Sequence, residues 1–165
     1  MKPGPRACFL ICGVLTLAPA GVACAQEAPP NYVAAFVGTT IAYRPPGGPF
    51  QGFQADVTAT AGYGRFVSRT VALELDLGPT FMRGRYASFG LVPGVVWAFR
   101  PYAYAAARFI VPVDPELNLV LFPGIGLSRT FGRATPILEV NLSRTVGKGK
   151  ADFGVAVTAG VLVGF

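Results

Sequence analysis

Histidine is absent from the chain, and charge is scarce: Asp, Glu, Lys and Arg together make up 13% of the 165 residues, against roughly 25% in an ordinary soluble domain. Without histidine, a serine has no imidazole to take its proton, and the commonest metal-binding side chain is missing. Cysteine occurs three times, at Cys8, Cys12 and Cys24, so no disulfide framework can form beyond the first segment. Long apolar runs are lacking too. No stretch reaches the ~20 residues of a transmembrane helix, although hydrophobic residues make up 52% of the chain. The 21 Gly and 15 Pro break the hydrophobicity into short pieces and argue against long helices. The length allows one domain with one core.

What is present begins with a leader. Lys2 and Arg6 form a positive n-region, Ala7 to Ala18 an apolar stretch too short to span a bilayer, and Pro19 and Gly21 end it. Ala23-Cys24-Ala25 supplies the small residues of a cleavage site. The expected organisation is a signal peptide over 1-25, a short periplasmic tail over 26-31 and the folded part over 32-165. A second reading stays open: Gly21-Val22-Ala23-Cys24 is similar to a lipidation box, with Gly21 where Leu is usual.

From Tyr32 onward, residues alternate with a period of two between turn signals, the pattern of β-strands. Breaks fall at Pro45 to Pro49, Ser68-Arg69, Arg83-Gly84, Arg100-Pro101, Pro112 to Pro115, Gly132-Arg133 and Gly147 to Lys150. These breaks leave eight segments, near or slightly above the ~9–11 residues of a tilted membrane strand. In the third, Val71, Leu73, Leu75, Leu77 and Phe81 alternate with Ala72, Glu74, Asp76, Gly78 and Thr80. In the second, Phe53, Ala55, Val57 and Ala59 alternate with Gln54, Asp56, Thr58 and Thr60. The first, fourth and fifth segments are blurred by small residues on both faces.

The expected fold is all-β: an eight-stranded, antiparallel, up-and-down transmembrane β-barrel. A soluble barrel buries its apolar face inside, whereas a membrane barrel turns it to lipid. Three features favour lipid. The polar face is rich in Gly, Ala, Ser and Thr, which suit a narrow interior. Tyr43, Phe53, Tyr63, Phe81, Phe89, Trp97, Phe99 and Phe131 gather near segment ends in the apolar phase, as interfacial girdles do. Arg44, Arg83, Arg85, Arg144, Lys148 and Lys150 fall at one set of ends, and Arg65, Arg69, Arg100, Arg129 and Arg133 at the other. A base facing lipid at mid-bilayer costs ~2–4 kcal/mol and almost nothing at the interface, so lipid sorts charge into such bands.

The last segment carries a family resemblance. Thr158, Gly160, Val163 and Phe165 fill the positions of the C-terminal assembly signal of Gram-negative outer-membrane proteins. The mature chain resembles, at the level of architecture, small barrels of the OmpA, OmpX and OmpW kind. The resemblance implies a place in the bacterial outer membrane and recognition of the last strand by the barrel assembly machinery. Both termini would face the periplasm, with outer loops at Pro45, Arg83, Pro112 and Gly147 that look short for that role.

Candidate functional residues follow from phase. Asp56, Glu74, Asp76, Arg108 and Glu139 lie on the inward face and form an expected interior charge network. Arg108, the one interior base away from the ends, is expected to pair with Glu139, Glu74 or Asp76. Small barrels that are deacylases, palmitoyltransferases or proteases use a histidine base, so Ser88, Ser128 and Ser143 have nothing to activate them. The carboxylates Glu74 and Asp76 share a face, but glycoside hydrolysis also needs an open cleft. No metal or cofactor is expected: the His and Cys ligands are missing, and Gly147-Lys148-Gly149-Lys150 lacks phosphate-loop spacing. Two bands of charge do not make a nucleic-acid patch. The six bases of the outer band could contact lipopolysaccharide phosphates. The leading expectation is a monomeric, non-enzymatic envelope barrel with a lumen plugged by side chains. A narrow channel for small or apolar solutes and a surface interaction protein stand behind it.

Overall fold

The computed structural model describes residues 30–113, 118–146 and 152–165. Within them the chain forms eight strands: β1 (Asn31–Arg44), β2 (Asp56–Phe66), β3 (Val71–Met82), β4 (Arg85–Arg100), β5 (Ala103–Pro112), β6 (Leu119–Ser128), β7 (Ala134–Val146) and β8 (Phe153–Gly164). Each is antiparallel to the next, and β8 returns to β1 to close the barrel. Closure leaves no unpaired sheet edge. The leader, the cleavage and lipidation sites around Cys24, and Lys148 and Lys150 lie outside the described residues.

All seven turn signals separate strands as the sequence indicates. The exception to the expected boundaries is the start of β2. Its alternation extends in sequence back to Phe53, but Ala55 has a φ of 54°, a left-handed conformation that ends a strand. Residues 45–55 therefore form a flap, folded back through the Tyr43–Gln51 bridge, and this outer loop is not short. Asp56 repairs the β1–β2 ladder where its strand-to-strand register stops at Gly38–Thr58. Its carboxylate accepts the Thr40 amide at 2.7 Å and the Thr39 and Thr40 hydroxyls.

The apolar face is outside. Leu73, Leu75, Leu77, Val95, Ile125, Leu127, Leu138, Val140 and Leu142 are all exposed, a continuous surface that water would not tolerate on a monomer. Trp97 and Phe99 pack together near the terminal rim, and Phe81 and Tyr86 near the opposite one. Two of the expected girdle aromatics sit elsewhere. Phe53 is in the flap, and Tyr43 points inward because a register shift between Thr40 and Ala42 inserts one residue and reverses the phase.

The interior is not built of small residues alone. Tyr32, Phe36, Tyr104 and Ile137 are buried inside, packed with Ala34, Ala72 and Ala106 near the chain termini. An eight-stranded barrel is only wide enough for side chains to fill it, so each bulky group needs a gap beside it. The gaps are glycines of neighbouring strands. A Cβ on Gly64 would collide with the Tyr32 ring, on Gly126 with Tyr104, on Gly160 with Phe36, and on Gly94 with Arg108. The bulky members belong to β1 and β5 and the glycines to β2, β4, β6 and β8. Large and small alternate around the circumference.

This complementarity predicts that Gly126→Val lowers stability by about 1–3 kcal/mol through overpacking. Tyr104→Ala in the same chain should relieve part of that loss. Urea unfolding of the refolded protein, arranged as a double-mutant cycle, measures the coupling.

Candidate functional site

Period-two alternation puts every second residue of a strand into the lumen, and the odd-numbered strands carry polar or bulky groups at one level. β3 contributes Glu74, β5 Arg108, β7 Glu139 and β1 Tyr32 and Phe36. The Arg108 guanidinium binds Glu74 through Nη2 at 2.9 Å and Nε at 3.0 Å, and its Nη1 binds Glu139 at 2.5 Å. It also lies 5.6 Å from the centroid of the Phe36 ring, a favourable face for a cation. Tyr32 donates to the other oxygen of Glu74 at 2.7 Å. Arg108 thus reaches every odd strand. Its side chain is 5% exposed, those of Glu74 and Glu139 2% and 1%.

Among the candidate interior charges, the structure brings Glu74, Arg108 and Glu139 into contact. Asp76, one inward position along β3 from Glu74, lines the space above them and makes no ion pair among the described residues. Asp56 is not part of the cluster; it belongs to the rim, where Thr39 and Thr40 occupy it. Asn141, on the inward face of β7, is fully buried and donates to Thr158 at 3.1 Å.

Above the ion cluster the lumen opens. A cavity of about 540 Å³ occupies the end of the barrel away from the termini. Asp76, Arg108, Glu139, Phe36 and Thr158 form its floor, while Thr58, Thr80, Ser88, Ile110, Val120 and Phe122 line the wall. Tyr43, Gln54, Asp56 and Asp152 stand near the mouth. Asp152 accepts from the Tyr43 hydroxyl at 3.3 Å and from the Thr145 amide at 3.1 Å. The sequence suggested a lumen filled throughout. It is filled at one end and forms a cup at the other, where Thr, Ser and Gly on β1, β2, β3, β7 and β8 leave the bulk of Ile110, Val120 and Phe122 on β5 and β6 unmatched.

Tyr32, Phe36, Asn141 and Asp152 were not singled out as site residues from sequence, and Tyr43 was assigned to the lipid-facing girdle. Tyr32 and Phe36 are in phase with Ala34 and Gly38, opposite Val33 and Val37, so that signal was present but blurred by the small residues of both faces. For Tyr43 the phase pointed outward, because the bulge that reverses it leaves no mark in the sequence, and Asp152 carried no signal.

The remaining candidates lie outside or in the last strand. Arg44 and Arg144 stack over the rings of Phe50 and Phe153 at 5.6 and 5.3 Å, and Arg83 and Arg85 are exposed at the β3–β4 turn. Thr158 and Gly160 face the lumen, one bonded to Asn141 and the other beneath Phe36. Val163 and Phe165 are exposed outside, with the Phe165 ring 6.5 Å from that of Tyr63. The Phe165 amide donates to Asn31 at 3.0 Å, tying the two ends together.

A solved chain from the de novo design of transmembrane β-barrels is similar to this one, with a TM-score of 0.52 at 16% identity, covering 84% of this chain and 97% of that one. The fold is that of a transmembrane β-barrel. No family model matches the chain, and no curated protein does. The likeness concerns architecture, and it agrees with the outward apolar surface.

Replacing Arg108 with Ala leaves two buried carboxylates facing each other, and loss of one partner of a buried pair costs ~3–5 kcal/mol. Arg108→Ala is therefore expected to unfold in clearly less urea than the wild type. Glu74→Gln, Arg108→Met and Glu139→Gln combined should recover most of the difference, as tryptophan fluorescence of Trp97 would report.

Proposed function

We propose that the protein is a monomeric, non-enzymatic barrel of the bacterial outer membrane, with a structural role in the envelope and a lumen closed to conduction. The carrying observation is the pair of ion contacts from Arg108 to Glu74 and Glu139, seated on the packed layer of Tyr32, Phe36, Tyr104 and Ile137. Together they fill the cross-section between cup and terminal rim. Breaking that cluster to admit an ion would expose uncompensated charge in a narrow space. A chain without histidine also gives the cup's Ser88 and Ser143 no imidazole base.

Several features support the outer membrane as location. The leader has the parts of a signal peptide, and Thr158, Gly160, Val163 and Phe165 fit the signal read by the barrel assembly machinery. In the orientation this implies, the cup faces outward. Arg44, Arg83, Arg85 and Arg144 then border the lipopolysaccharide layer, where guanidinium groups suit phosphates. Lys148 and Lys150 belong to the same outer loops by sequence. A narrow channel is the second reading, favoured by the cup, whose floor lies at the level of Asp76 and Arg108.

Planar-bilayer recording separates the two. The refolded wild type is expected to show no discrete openings, and reproducible unitary currents would overturn the closed lumen. For orientation, Gln51→Cys in the flap should react with a membrane-impermeant maleimide on intact cells, since cleavage after Ala25 leaves no other cysteine. Labelling only after lysis would reverse the assignment.

A further inference from the structure

The cup holds a carboxyl group that the rest of the fold does not use. Asp76 is 2% exposed, lines the cavity floor, and its Oδ1 has no hydrogen-bond donor among the described residues. A buried carboxylate without a donor is costly. Arg108, the one base among the described lining residues, is already held by Glu74 and Glu139. Asp56 and Asp152 stand near the mouth, hydrogen-bonded to neutral groups and paired with no base among the described residues. Among the described lining residues, carboxylates therefore outnumber the one base, and low-dielectric walls strengthen their pull on a cation inside.

We infer that the cup is a binding site for a small organic cation, an ammonium or guanidinium group on a short apolar body, with Asp76 as its counter-ion. The cavity volume lies within the range of small-molecule pockets. Phe36, Val92, Ile110, Val120 and Phe122 offer apolar wall to the body of the ligand, and the hydroxyls of Thr58, Thr80 and Ser88 offer acceptors beside it. An anion is disfavoured by the carboxylates. A bare metal ion is disfavoured as well, because no group of three ligating side chains is assembled among the described residues. The site stands apart from the question of conduction, since a closed floor and a loaded cup are compatible. It also holds whichever compartment the mouth faces.

The probe is n-butylammonium, titrated by calorimetry into the refolded full-length mature protein in a zwitterionic detergent. Butyrate and 1-butanol share its body but carry the opposite charge or none. Butylammonium should bind saturably while neither control does. Asp76→Asn, which keeps the shape and removes the charge, should weaken binding by about tenfold or more, the scale of one charged hydrogen bond. Val92→Phe, which keeps every charge and puts an aromatic ring beside Asp76, its partner across the β3–β4 pair, should weaken it likewise. It decides the matter if Asp76→Asn does not refold to a heat-modifiable band. Absence of saturable butylammonium binding, equal binding of butanol, or undiminished affinity in a folded Asp76→Asn or Val92→Phe chain would overturn the inference.

Discussion

The width of the barrel governs what the sequence can place inside it. Eight strands enclose a cross-section that a few side chains can fill, so bulk at one position forces its absence beside it. Tyr32, Phe36, Tyr104 and Arg108 occupy the space over Gly64, Gly160, Gly126 and Gly94. The same restriction decides the electrostatics. A guanidinium in so narrow a section is within reach of every odd strand, and two carboxylates and a phenylalanine ring close around it. One base therefore organises the interior from β1 to β7. The outside is relieved of polar duty and can be apolar from rim to rim.

The strand pattern was legible in the sequence because both of its signals are local. Alternation in Val71–Phe81 and the Pro and Gly clusters between segments need no knowledge of partners. The phase at the end of β1 is different. It depends on one extra residue near Ile41, accommodated by pairing with β8 more than a hundred positions away, and the run Thr39–Tyr43 contains nothing that marks it. The end of the alternation at Ala55 is likewise set by a backbone angle, although Ala is an ordinary strand-interior residue by pattern.

The interior charges divide along the same line. Glu74, Arg108 and Glu139 could be assigned to the lumen by phase, and with one base at that depth the number of pairings was small. Asp56 has the same phase, but its neighbours are decided by where β2 begins. The cup was not foreseeable strand by strand. It results from combining the side-chain volumes of eight separate inward faces, a quantity that appears only when those faces are brought round a common axis.

That uneven filling has a mechanical side. A ring braced by cross-members keeps a round section, while an unbraced ring can flatten into an ellipse without breaking a backbone hydrogen bond. The terminal half of this barrel is braced by Arg108 and the aromatic layer. Among the described residues, the other half has no members spanning it, only walls and a flap at 45–55. Lateral pressure from the surrounding bilayer therefore meets a stiff hoop at one depth and a compliant one at the other, and shape fluctuations concentrate at the open end.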